Sequence, residues 1–123
     1  MKIGLITLLP EMFAALSDYG ICGRAIRDGI VEINLVNPRD FTADKHRTVD
    51  DKPFGGGPGM LMKTEPLVAA IRATKEALTE RSGSVPKVVY LSPQGVKVNQ
   101  DKVVIEAQAE SLIRLGRFAA FFS

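Results

Sequence analysis

The residues able to do chemistry concentrate between Asn37 and Met62. The stretch "NPRDFTADKHRTVDD" sets Arg39, Lys45, His46 and Arg47 among Asp40, Asp44, Asp50 and Asp51, and "KPFGGGPGMLM" follows directly. Basic side chains so placed could contact phosphates while a carboxylate accepts from a base edge. The same mixture is also the usual form of a solvated face, where ion pairs contribute little. His46, the single histidine, has no partner at metal-ligand spacing, so no metal site is expected.

The glycines first suggest a phosphate loop, and Lys63-Thr64 lies nearby. In the Walker pattern the lysine directly follows the last glycine, so that its ammonium reaches the phosphates. Here Met60, Leu61 and Met62 intervene between Gly59 and Lys63, and the register is wrong. A dinucleotide fingerprint also fails, because the glycines do not directly follow a buried strand and Pro58 lies among them. What remains is a shaped loop. Pro53 and Pro58 restrict φ, while Gly55, Gly56, Gly57 and Gly59 permit conformations closed to other residues. Such a loop can press its amides against a planar ligand; a tight structural turn is the alternative.

A second stretch, "YLSPQG" from Tyr90 to Gly95, ends an apolar run in a Pro-Gly turn. It is either an ordinary strand-to-loop turn or an edge whose backbone groups hydrogen-bond an adenine or a methionine moiety. The chain shows no Ser-His-Asp arrangement, no paired catalytic carboxylates and no CxxC.

The elements that must hold these loops follow from periodicity. "KIGLITLL" is nearly continuous apolar sequence ended by Pro10, as in a strand covered on both faces. Pro10 and Glu11 suit the first turn of a helix through "EMFAAL", and "CGRAIRD" predicts a second, stopped by Gly29. In 30–36, Val31, Ile33 and Leu35 alternate with Glu32 and Asn34, the pattern of a strand with one wetter face. Thr64 is the expected N-cap of a helix through "EPLVAAIRATKEALTER" carrying Leu67, Ile71 and Leu78 on one stripe. "KVVYL" is expected to be a buried strand, with a helix near "DKVVIEAQAE" capped by Asn99 or Asp101, and a last strand at "SLIRL". Strands alternating with helices predict an α/β domain with a largely parallel sheet and flanking helices. Ligands then collect beyond the carboxyl ends of the strands, in the loops after Leu9, Val36 and Leu91.

At 123 residues and 13.3 kDa, with 46% apolar and 24% charged residues, the chain has the size of one globular domain. A formal charge of +2 neither requires nor excludes RNA, since nucleic-acid-binding domains usually carry a stronger basic patch. Cys22 has no partner for an internal disulfide, which predicts a buried structural thiol in a reducing, cytoplasmic setting. The amino-terminal apolar run is interrupted too early for a signal peptide, and no run reaches the ~20 residues needed to span a bilayer.

Taken together, "LPEMF", "GRAI", "NPRDFTADKHRTVDDKPFGGGPGML" and "VVYLSPQG" closely resemble the bacterial tRNA (guanine-37 N1) methyltransferases of the SPOUT class, over roughly residues 1 to 100. The resemblance implies an α/β fold with a deep trefoil knot, a homodimer, S-adenosyl-L-methionine as methyl donor and tRNA as substrate. It implies that Tyr90, Leu91, Ser92, Pro93, Gln94 and Gly116 contact the cofactor. It likewise places Gly57, Pro58 and Gly59 against the target guanine, with Arg24, Lys45, His46 and Asp50 also on the substrate side. At the carboxyl end "LGRFAAFFS" keeps only the start of the family's "GRYEGIDER" segment. The expectation is therefore one incomplete SPOUT domain over 1–123, with the knot incomplete. The second cofactor loop, the general-base aspartate and the carboxyl-terminal tRNA-binding domain are expected to lie outside this chain, and no catalytic residue is assigned within it. A non-catalytic remnant that dimerises or binds RNA or nucleotide is the alternative. Phe121 and Phe122 are expected to be exposed and to favour association.

Overall fold

The structure, a computed structural model, describes residues 1–116. In chain order it contains β1 (Lys2–Ile6), a 3-10 turn (Pro10–Phe13) running into α1 (Ala14–Ser17), α2 (Gly20–Arg27) and β2 (Glu32–Val36). A second 3-10 turn (Pro38–Phe41) leads to the short strands β3 (Asp50–Asp51) and β4 (Leu61–Met62). Next come α3 (Thr64–Ser82), β5 (Lys87–Leu91), α4 (Gln100–Ala107) and β6 (Ser111–Gly116).

The main sheet has the order β2-β1-β6-β5, and all three pairings are parallel. The expected α/β class with a largely parallel sheet is what the chain adopts. Both central strands come from nearly continuous apolar runs, and Ile6, Leu112 and Ile113 are almost wholly buried. One face of the sheet packs on α3, where Ala70, Leu78, Ile113, Ile6 and Leu115 form the core with Val36, Leu67 and Ile71 around them. Thr74 is also buried there, and its hydroxyl donates to the Ala70 carbonyl at 2.7 Å, so its burial leaves no unpaired donor.

Several expectations change in detail. "KVVYL" does form a strand, but β5 lies at the sheet edge with Val88, Tyr90 and Leu91 exposed. An apolar run signals a strand without signalling its place in the sheet. In β2 the Val31, Ile33 and Leu35 stripe is not the core face. Val36 packs against the core, opposite Ile6, so by alternation Ile33 and Leu35 point away from α3, and Leu35 is exposed. The N-cap of α3 is Lys63, not Thr64, which is already helical; the Lys63 N–H instead donates to the Val49 carbonyl at 2.7 Å. The first helix is split into a 3-10 turn and one α turn. Cys22 is exposed on α2 rather than buried. Asn99 caps α4, its Oδ1 accepting from the Lys102 N–H, and Gly29 follows the end of α2 at φ 74° as expected.

Because all four main strands are parallel, their carboxyl ends and the loops after them share one edge. Phe121 and Phe122 lie outside the described residues, as do the segments that the knot expectation concerns. Among the described residues, no helix is long and apolar enough to cross a membrane.

Candidate functional site

The carboxyl ends of β1, β5 and β6 border a cavity of about 410 Å³. Ile6, Thr7 and Leu8 enter it from β1 and its extension, Tyr90 from β5 and Leu115 from β6. Pro38, Leu61, Met62 and Leu67 complete the wall. Thr7 ends the first strand in a fixed way: its N–H donates to the Val36 carbonyl at 3.0 Å, and its Oγ1 accepts the Leu9 N–H at 3.2 Å.

The glycine-rich segment is pinned at its base and open at its tip. β3 and β4 pair antiparallel, Asp50 opposite Met62 and Asp51 opposite Leu61, while buried Val49 holds Lys63. Beyond this ribbon the Gly56 N–H donates to the Pro53 carbonyl at 3.0 Å, and Phe54 is fully exposed. Gly57 and Gly59 have φ of 122° and 86°, with open space where a Cβ would stand. Their glycines are therefore needed for backbone conformation and not for room.

The charged stretch before it divides in two. Arg47, at φ 52°, donates from Nε to the Arg39 carbonyl, pairs with Asp40, and accepts at its own carbonyl from Arg39 Nη1. Asp44 accepts both the hydroxyl of Thr48, at 2.6 Å, and its N–H, at 3.1 Å. The hydroxyl bond first, and the N–H second, hold the Asp44 carboxyl below its ordinary range, because both favour the charged form. Lys45 and His46 sit on the turn between Asp44 and Arg47, exposed, with no hydrogen bond or ion pair among the described residues.

Tyr90 is the one sequence-predicted site residue on the cavity wall. Leu91, Ser92, Pro93 and Gln94 continue from it; the Ser92 hydroxyl accepts the Gln94 N–H at 3.2 Å, and the Ser92 carbonyl accepts the Gly95 N–H. Gly116 stands opposite Leu91 in the β5–β6 register, so these six positions share one end of the sheet. Asp50 is half-buried at the foot of the loop, and Gly57, Pro58 and Gly59 form its exposed part. Arg24 lies exposed on α2. None of Arg24, Lys45, His46, Asp50, Gly57, Pro58 and Gly59 lines the cavity.

Sequence reasoning missed Thr7, Pro38, Leu67 and Leu115, which are distant in sequence and converge only through strand pairing and α3. One signal was available for Thr7. It is the only polar residue between Leu5 and Leu9 of the first strand and its extension.

The family model described as "tRNA (Guanine-1)-methyltransferase TrmD" matches residues 1–120. A tRNA (guanine-N(1)-)-methyltransferase from Colwellia psychrerythraea is 56% identical over 119 residues, covering 96% of this chain and 47% of that protein. A second, from Photorhabdus laumondii, is also 56% identical over 96% of this chain and 46% of its own length. The crystal structure of the tRNA (m1G37) methyltransferase from Aquifex aeolicus superimposes with a TM-score of 0.75 at 32% identity, over 94% of this chain and 50% of that one. The chain thus spans about half the length of the relatives it matches.

Proposed function

The chain belongs to the tRNA (guanine-1)-methyltransferase TrmD family, and on that premise we propose that it serves S-adenosyl-L-methionine-dependent methylation of tRNA guanine-37 at N1. One observation carries the reading. A cavity at the carboxyl ends of the strands is bordered on one side by Tyr90 and on another by Leu61 and Met62, the end of the glycine-loop hairpin. Its volume falls within the range of small-molecule pockets, and its apolar wall suits an adenine face and a methionine chain.

Tyr90, Leu91, Ser92, Pro93, Gln94 and Gly116 would hold the cofactor, which when bound supplies a methyl group on a sulfonium. Gly57, Pro58 and Gly59 would offer backbone to the target base, with the left-handed glycines setting the loop's shape. Asp50, at the foot of the loop, would accept from the guanine edge, and Arg24, Lys45 and His46 would meet phosphates. Arg39 and Arg47 are left out of that role because they are spent on each other's carbonyls and on Asp40. Methylation at N1 requires loss of its proton, and a base within hydrogen-bond reach is the usual means. Among the described residues no carboxylate or histidine lines the cavity, so that role is assigned to none of them.

We take residues 1–123 as one part of a SPOUT methyltransferase domain, working in the cytoplasm as a homodimer with tRNA as its partner. A second reading, binding of RNA or nucleotide without turnover, is favoured by a cavity wall that holds no carboxylate or histidine among the described residues. Incubation of the purified chain with labelled S-adenosylmethionine and a tRNA bearing guanine at position 37 decides between them. Methyl incorporation proportional to protein supports the enzyme; calorimetric binding of S-adenosylhomocysteine without incorporation supports the second reading. No heat with S-adenosylhomocysteine at high concentration contradicts a methyltransferase role.

A further inference from the structure

Thr7 is buried, with 3% of its surface exposed, yet it stands on the wall of the cavity. Its N–H is committed to the Val36 carbonyl and its Oγ1 already accepts the Leu9 N–H. Those bonds fix where the oxygen sits. A threonine hydroxyl also carries one proton to donate, and buried donors are as a rule paired. Among the described residues, no acceptor takes that proton. Around it the wall is mostly apolar: Ile6, Leu61, Met62 and Leu115 offer hydrocarbon contact, and Tyr90 brings the other hydroxyl among the lining side chains.

We propose that the Thr7 hydroxyl is a ligand-directed donor, hydrogen-bonding an acceptor atom of a purine lodged in this cavity. The inference rests on the proposed function, in which both groups to be bound, the adenosyl group of the cofactor and the target guanine, are purines. Hydrocarbon walls recognise the faces of such a ring without orienting it. A buried donor held in place, as Thr7 is and the exposed Tyr90 is not, orients it by selecting one ring nitrogen or carbonyl, since a purine carries acceptors at defined edge positions. Thr7 is thereby a specificity-determining binding residue and not a catalytic one.

The test is calorimetric titration of the full chain and its T7V and T7S variants with S-adenosylhomocysteine and, separately, with guanosine 5′-monophosphate. Valine keeps the shape and removes the donor together with the acceptor of the Leu9 N–H; serine keeps both. T7V is expected to weaken one of the two probes roughly 3- to 10-fold, the worth of one neutral hydrogen bond, with T7S close to wild type. A loss confined to S-adenosylhomocysteine identifies the adenosyl group as the occupant, and one confined to guanosine monophosphate identifies the base. Equal affinity of wild type and T7V for every probe that binds overturns the inference and leaves the proposed function standing. Methyl NMR of the wild type provides a second measurement that does not depend on T7V folding. The Thr7 and Ile6 methyl signals are expected to shift on adding the bound purine; unmoved signals in the presence of binding heat, or no binding of either probe, overturn it.

Discussion

Asp44 shows how a single side chain in the charged stretch is tuned. The Thr48 hydroxyl is the larger cause and the Thr48 N–H the next, and both stabilise the carboxylate over the acid. The folded-state pKa is therefore depressed relative to the unfolded chain. Its stabilising contribution is present above the unfolded value, at neutral pH, and is lost as pH falls through the folded value, below about pH 4. In a carbon-detected NMR titration, Thr48→Val is expected to move the Asp44 midpoint upward toward that of an ordinary aspartate. An unchanged midpoint would show that the hydroxyl bond is not what holds it down. The tuning orders the turn that presents Lys45 and His46, the two side chains of the stretch left available for phosphates. The mixed charges in the sequence left both a solvated face, their usual form, and a binding surface open. The structure divides them: Arg39, Asp40, Asp44 and Arg47 hold the loop together, and Lys45 and His46 do not.

At the scale of elements, β1 and α3 approach each other closely at Gly4. A Cβ on Gly4 would stand 2.4 Å from Thr74 Cγ2 and 3.3 Å from Leu78 Cδ1, so this strand position must be bare for the helix to lie on the sheet. Gly4→Ala is expected to cost about 1–3 kcal/mol of stability, the usual range for overpacking a core. Ser in place of Thr74 removes the Cγ2 while keeping a hydroxyl for the Ala70 carbonyl, so the double variant G4A/T74S is expected to recover part of the loss. Urea unfolding of the four chains measures the coupling; strictly additive losses would mean that another contact sets the spacing. The consequence reaches the site. β1 carries Ile6 and leads directly into Thr7 and Leu8, and α3 carries Leu67, so the spacing between them shapes the cavity wall.

For the whole molecule, the notable surface is the run from Leu9 to Ile21, where Leu9, Met12, Leu16, Tyr19 and Ile21 are all exposed, Ile21 at 87%. Exposed apolar area of this kind marks interaction surfaces. If the proposed homodimer uses it, sedimentation equilibrium is expected to give twice 13.3 kDa for the wild type and the monomer mass for Ile21→Lys, with circular dichroism unchanged. A dimer that survives Ile21→Lys would place the interface elsewhere.

By itself the sequence determined the succession of the four main-sheet strands and the helices between them, the α/β class and the location of the glycine loop, but not the short strands β3 and β4. What it determined is written in local periodicity or in contiguous residues, such as the Pro10 break and the run from Pro53 to Gly59. It also singled out the end of "KVVYL" as either an ordinary turn or a binding edge, because an apolar run closed by a Pro-Gly turn is local as well, and Tyr90 there lines the cavity. Only the tertiary structure decided that β1 and β6 take the centre and β5 the edge, and that Val36 rather than Leu35 faces the core. The cavity wall was likewise not legible. Thr7, Pro38, Leu67 and Leu115 meet through parallel pairings and a helix packed across them, and hydrophobic patterning says which residues avoid water without saying which distant partners they avoid it with.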